Sequence, residues 1–425
     1  MTRRRRPTKA VLMVIAAAAL ACAVVVASAG AASKTTLRVD VFGDFGYKPL
    51  YKQYMKTHPN IVIKEDSEDY QPHHDGLVKH LATGAGADDV VAIEVGFVSK
   101  FDNTPQYFVD LRKLGGMKEA TQYPKWKYEQ AIAKDGSLIG LGTDVGSLAI
   151  CYRADLFKQA GLPSDPTAVS KLWPTWGDYL KAGKKFQANA PSGTYFYDSG
   201  SNIYNAIIAQ ANPAYYNKAG KLLVSSNPKV KQAWNVAVQG YQAGLDAGLA
   251  AYSTAWTTGF KKSTFASVTC PAWMMGYIQT SAPAFKGDWN VADVPGGKGG
   301  SWGGSFLAIP KQSKHQAEAW DLLKFLTSPE SQTYVFKHTG NLPSRTAVLK
   351  SSAVQGFKNP FFQNAPVGKI FARNALALTP QSLGPNQGDI QTAVSNAIQR
   401  VEQKKQSPDQ AWAQFLKDVK SVTST

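Results

Sequence analysis

Apolar residues recur at every second position in Leu37, Val39 and Val41, which predicts a strand over 37–42. Gly43 and Gly46 bracket Asp44 in a turn. Leu50, Tyr51, Tyr54 and Met55 then fall at helical spacing, and His58-Pro59-Asn60 ends that helix. A short strand over 61–64 and a helix over 74–83, closed by Gly84, come next. Residues 90–95 are an almost unbroken apolar run, the pattern of a strand buried on both faces of a parallel sheet. A second series follows. It has strands over 148–152, 266–270, 289–294 and 305–309. Its helices cover 155–160, 176–187, 202–210, 229–247, 315–327 and 330–337, with two more near 390–403 and 408–419. Strands alternating with helices predict open α/β domains. A chain of 425 residues has room for two of them. No internal repeat or long low-complexity tether separates them, so several strand-like crossovers are expected to join them.

The first 32 residues read differently. Arg3, Arg4, Arg5, Arg6 and Lys9 precede an apolar run over 10–29, the arrangement of an export signal. Ala27-Ser28-Ala29 offers an ordinary cleavage site. Ala19-Leu20-Ala21-Cys22 offers an imperfect lipobox in which Cys22 would be lipidated. An uncleaved anchor is the third route, because the run is long. Each route places the body outside the cytoplasm, either released or held at the cell surface. If Cys22 is removed or lipidated, Cys151 and Cys270 remain in an oxidising compartment. They lie in strand-like runs and are expected to form a disulfide, with two buried thiols as the alternative.

The formal net charge is +17, and setting aside the five N-terminal basic residues leaves 42 basic against 30 acidic. Basic residues are scattered and not interleaved with aromatics, so a solvated surface is expected, not a nucleic-acid site. Gly299-Gly300-Ser301-Trp302-Gly303 fits a nucleophile-elbow pattern. That motif needs a strand before the serine and a helix after it, whereas here a glycine loop precedes and a strand follows. His73, His74 and His80 lack a supporting ligand cluster and read as ordinary residues of a surface helix. No Walker, zincin or dinucleotide fingerprint is present. The expectation is therefore a binding protein without catalytic residues, metal or cofactor.

Three tryptophans, Trp256, Trp273 and Trp302, read as loop or strand-end residues. Aromatic planes cover the apolar faces of sugars, and carboxylates take their hydroxyls. Asp44, Glu94 and Asp144 sit at strand ends, where open sheets bind ligands. These six are the candidate ligand residues, with Asn205 added below.

Tyr152-Arg153-Ala154-Asp155-Leu156-Phe157, followed by Ala160-Gly161-Leu162-Pro163, resembles a segment of the extracellular solute-binding proteins of sugar importers. Trp173-Pro174-Thr175-Trp176, Cys270-Pro271-Ala272-Trp273-Met274, the glycine segment 295–310 and Gly340-Asn341-Leu342-Pro343-Ser344 resemble further segments in the same order. The resemblance, maltose-binding-protein-like in kind, covers nearly all of 35–420. It implies a two-lobed periplasmic-binding-protein-like α/β fold with crossovers near 143–147, 300–305 and 350–358. Lobe I would be 35–144 plus 303–352, and lobe II 147–300 plus 355–425. It places Asp44, Glu94 and Asp144 at the first lobe's cleft edge or first crossover. Trp273 falls on a stacking position and Trp302 on the glycine crossover, with Trp256 and Asn205 less firmly matched. It implies a monomer that captures a mono- or oligosaccharide and delivers it to ABC permease subunits. A ligand sensor, a binder of polyols or polyamines, and a secreted carbohydrate hydrolase are the rival readings.

Overall fold

The computed structural model describes residues 34–101, 103–297 and 299–424. The export segment 1–32, with Cys22, lies outside the described residues. The strands are β1 (Thr35–Phe42), β2 (Ile61–Glu68), β3 (Val90–Glu94), β4 (Leu141–Gly142), β5 (Leu148–Arg153), β6 (Tyr195–Tyr197), β7 (Phe265–Pro271), β8 (Trp289–Ala292) and β9 (Ser305–Ala308). They form two sheets, ordered β2-β1-β3-β9-β4 and β6-β7-β5-β8. Around them lie α1 (Lys48–Thr57), α2 (Tyr70–Thr83), α3 (Val95–Val98), α4 (Lys125–Glu129), α5 (Ala154–Gln159) and α6 (Trp176–Gln187). They are followed by α7 (Gly200–Ala209), α8 (Pro228–Gln242), α9 (Thr254–Lys262), α10 (Met274–Ser281), α11 (Gln316–Leu326) and α12 (Pro329–Thr339). The last three are α13 (Val367–Leu376), α14 (Gln387–Glu402) and α15 (Pro408–Thr423).

The alternation of β1 becomes burial: Leu37, Val39 and Val41 are fully enclosed. Val90, Val91, Ala92 and Ile93 of β3 are equally buried, because helices cover both faces of the sheet. The sheet is not purely parallel, however. β1 runs parallel to β2 and β3, but β9 enters antiparallel to β3 and β4. β9 returns from the other lobe and not through a crossover helix, so nothing fixes it in the parallel sense.

Three helical expectations are corrected. Helix α2 starts at Tyr70, ahead of 74, and its two histidines are not on a surface: His73 and His74 are buried to 1%. They pack on the Phe42 ring at 5.3 and 4.8 Å, and His73 bridges Asp40 and the Ala92 carbonyl. Helix α8 stops at Gln242, short of 247. Gly244 takes the left-handed conformation at its end (φ 69°), and the Leu245 N–H closes on the Gly240 carbonyl. The released chain then pairs beside β6, where Tyr197 exchanges hydrogen bonds with Leu245 and Ala247. Trp256 is not in a loop but inside α9.

The chain passes between the sheets after β4, before β9 and after α12. The first two passages run side by side at backbone distance. The Trp302 N–H donates to the Gly146 carbonyl at 2.8 Å and the Leu148 N–H to Gly300 at 3.2 Å. The third passage is spread out: Phe336, Leu342 and Leu349 pack into the core around Cys151, while Arg345 is bonded to Glu119 and Thr327 on the first lobe.

A disulfide joins Cys151 of β5 to Cys270 of β7, with 5.4 Å between Cα atoms and a sequence separation of 119. The strands pair Cys151 with Val268 and Ala149 with Cys270, so the bridge runs diagonally across the ladder, fully buried. Closing so long a loop restricts the unfolded chain and is expected to contribute about 2–4 kcal/mol. The double substitution Cys151→Ala, Cys270→Ala should lower the melting temperature by several degrees in calorimetry. An unchanged melting temperature would show that the bridge is not stabilising.

Candidate functional site

The two sheets turn one edge each toward a cavity of about 790 Å³ between them. On the first sheet this edge is made by the C-terminal ends of β1 and β3 and the N-terminal end of the antiparallel β9. The topology thus brings Asp44, Glu94 and Ser305 to one rim. On the second, β7 ends in Trp273, which opens α10, and α7 and α14 form the wall beside it.

Asp44, Glu94 and Asp144 all line the cavity, and each also holds backbone. Asp44 is exposed and accepts the Gly46 N–H at 2.8 Å. Asp144 is 5% exposed and accepts from the Ser305 N–H at 2.9 Å and the Thr143 hydroxyl at 2.7 Å. Glu94 caps α3 through the Gly96 N–H at 2.6 Å and takes the Tyr70 hydroxyl at 3.1 Å. Its own N–H donates to His74 Nε2 at 3.0 Å, while His74 Nδ1 bonds the Tyr70 carbonyl at 2.7 Å. That pairing fixes the tautomer, with the proton on Nδ1. Burial, with His73 alongside, drives the His74 pKa down to about 3 and keeps it neutral. Burial pushes the Glu94 carboxyl up to about 7, against the pull of the Gly96 N–H and Tyr70. Asp144 is also raised by burial, with Lys127 opposing.

Lys127 is a residue that sequence reasoning missed. It is 1% exposed on α4, with Nζ 3.8 Å above the Phe306 ring. Burial lowers its pKa to about 8, partly offset by Asp144 and Glu94. A buried cation thus stands behind two of the cleft acids. Along the cavity wall itself, the described residues include Asp44, Asp69, Glu94 and Asp144 but no lysine or arginine.

Trp273 and Trp302 line the cavity half-buried, with ring centroids 6.0 Å apart at 74°. Trp273 Nε1 donates to the Trp302 carbonyl at 3.2 Å, which orients the indole. Tyr252, 50% exposed, lies 6.4 Å from Trp273, and Tyr70, 40% exposed, faces the cavity from the first lobe. Neither tyrosine was singled out from sequence; Tyr70 is a lone aromatic in a polar run, and Tyr252 stands close before Trp256, which drew the attention instead. Trp256 does not line the cavity. It is fully buried and donates from Nε1 to Asp198 at 2.7 Å, closing the core behind Tyr252. Asn205, on α7, does line it, 8% exposed and with its amide oxygen unpartnered.

With this geometry in place, similarity to known proteins is informative. Residues 50–364 match the family described as bacterial extracellular solute-binding protein. An arabinooligosaccharide-binding protein of Bacillus subtilis (strain 168) is 28% identical over 337 residues, 75% of each chain. A crystal structure of an extracellular solute-binding protein family 1 member is 40% identical, with a TM-score of 0.79 over 91% of this chain and 99% of its own. An ABC transporter associated binding protein from B. animalis subsp. lactis Bl-04, solved with beta-1,6-galactobiose, shares the fold at a TM-score of 0.78 and 22% identity. It covers 91% of this chain and 97% of its own.

The raised carboxyl of Glu94 has a stability consequence. Between its ordinary value of 4.5 and about 7, the folded chain keeps a proton that the unfolded chain has released. Stability from this group is therefore complete at lower pH and falls as pH rises through that window. Glu94→Gln should flatten the decline. Asp198, likewise raised to about 7 by burial, leaves part of it in place. Urea midpoints across the window would check this, and an identical slope in the variant would refute it.

Proposed function

The chain belongs to the bacterial extracellular solute-binding proteins, and on that premise we propose that it is the extracytoplasmic binding component of an ABC importer whose cleft captures a small carbohydrate, mono- or oligosaccharide. The observation that carries the cargo is one of composition and place. Indole and phenol faces of Trp273, Trp302, Tyr252 and Tyr70 stand among carboxylates and neutral amides around one cavity. Aromatic faces cover the C–H surface of a sugar ring, and Asp44, Glu94, Asp144 and Asn205 accept or share its hydroxyl protons. The arabinooligosaccharide cargo of the Bacillus relative supports the same class.

In this reading the chain does no chemistry. Solute enters between lobe I (35–144 with 303–352) and lobe II (147–300 with 355–425). The lobes close by bending at the three passages, and the closed monomer docks on the permease subunits. The protein works outside the cytoplasm, released or held at the membrane surface by its N-terminal segment. A second reading follows from the acidic wall: four carboxylates, with no lining lysine or arginine among the described residues, would also suit a polyamine. The aromatic faces favour the sugar, because they cover a ring face that a linear polyamine lacks.

A thermal-shift screen of the mature protein distinguishes them, using arabinooligosaccharides, lactose and maltose beside sorbitol and spermidine. A ligand at 100 times its dissociation constant stabilises by about 2.7 kcal/mol. A shift with a saccharide is expected. Trp273→Ala should weaken the affinity for it at least ten-fold, about 1.4 kcal/mol. A shift with spermidine alone would overturn the carbohydrate reading. Trp256→Ala should act differently, costing about 3–5 kcal/mol of stability through the core. Unfolding curves of that variant without ligand would check this.

A further inference from the structure

Helix α14 has two faces of different kinds. Ile390, Val394, Ala397, Ile398 and Val401 are buried in the second lobe. Gln391, Thr392, Ser395, Asn396 and Gln399 line the cavity at alternating spacings of one and three, which places them on one side. A solvated helix face usually carries charge, and charged pairs at that spacing stabilise it. This one carries amides and hydroxyls only. None of the five side chains has a hydrogen-bond partner within the protein among the described residues. Beside it on α7, Asn205 is more than nine-tenths buried, lines the same cavity and leaves its amide oxygen unpartnered. The polar face thus points at space shaped to be filled by hydrogen-bonding groups.

The face also has a direction. Its start is fixed to the first lobe: Lys100 reaches Asp389 at 3.5 Å, and the Gly388 nitrogen lies beside Gly96, where Glu94 caps α3. Its end, at Gln399, lies beyond the lobe junction, one turn before Glu402, which holds the Gly200 N–H at 3.0 Å. From Gly388 to Gln399 the helix rises about 16 Å. That is longer than one sugar ring set against Trp273 can reach.

We propose that this face of α14 is a graded subsite that reads successive rings of an uncharged saccharide outward from Glu94, Gln391 and Thr392 nearest, Ser395 and Asn396 next, and Gln399 last. The proposal rests on the carbohydrate reading of the cleft. It adds that chain length is sensed along one helix. Each turn contributes one or two hydrogen bonds, and each further ring gains affinity until the helix ends.

Titration calorimetry with arabinose through arabinopentaose, and with a β-1,6-linked galactose series, tests it. Affinity should rise with length and then level off. Gln391→Ala should weaken every member from the disaccharide upward by about five-fold, the value of one neutral hydrogen bond. Gln399→Ala should leave the shortest members unchanged and weaken only the longest by a similar factor. Both positions are on a helix surface where alanine is a good helix former, so equal melting temperatures confirm folding. Equal losses at every length in the two variants, no loss in either, or a wild-type affinity independent of length would overturn the graded subsite while leaving sugar binding intact. No binding by any member of either series, together with no thermal shift from lactose or maltose, would overturn the carbohydrate reading itself.

Discussion

The lobes are held in register by two chain passages that lie against one another at backbone distance. A Cβ on Gly146 would stand 1.7 Å from the Trp302 carbonyl oxygen, so only glycine permits the pair of strands to meet. From this contact the rest of the site is dimensioned. The Val95 N–H reaches the Gly304 carbonyl at 2.9 Å, tying the end of β3, and with it Glu94, to the same seam. Asp144 holds Ser305 across it. Gly303 sits between Trp273 and Glu94, where a side chain would come within 3.2 Å of the indole nitrogen. The acids and the indole that would share a ligand are thus spaced by backbone hydrogen bonds, not by mobile side chains.

The electrostatics of the cleft oppose those of the molecule. A chain with an excess of basic residues lines its cavity with carboxylates, and among the described residues no lysine or arginine joins that wall. The nearest cation, Lys127, is sealed behind the seam on the face of Phe306, where it offsets Glu94 and Asp144 without meeting a ligand. Burying a charge is costly unless others compensate it. Here two acids and one base share a desolvated region, and the carboxyl groups rise toward neutrality as a result. Glu94, able to take or give a proton near neutral pH, suits a partner made of hydroxyls.

Much of this was legible in the sequence, and the limits have physical causes. The period-two pattern of Leu37, Val39 and Val41 and the unbroken run of β3 announced buried strands, because burial selects residues directly. Asp44, Glu94, Asp144, Trp273 and Trp302, which line the cavity, were singled out from their places at strand ends and in the glycine crossover. Trp256 was misplaced because a tryptophan in a run of serines and threonines looks the same whether α9 turns it in or out. His73 and His74 gave no sign of burial, since Asp40, the β3 backbone and the Phe42 ring that enclose them are distant in sequence. Lys127 was invisible for the same reason. The polar face of α14 did leave a signal, a helical stripe of amides and hydroxyls where charges are usual, but it means something only once the opposite face is known to be core.

The order of the first sheet bears on how the chain is made. β9 lies between β3 and β4, yet it arrives some 160 residues after β4. A chain emerging end-first from a ribosome or translocon therefore carries β3 with one apolar edge unpaired until the second lobe's whole sheet, β5 to β8, has followed. Such edges invite pairing with other chains, and contacts of such long range form slowly. The first lobe, though first in sequence, cannot close until β9 has emerged, and the second lobe still waits for α13, α14 and α15 after that.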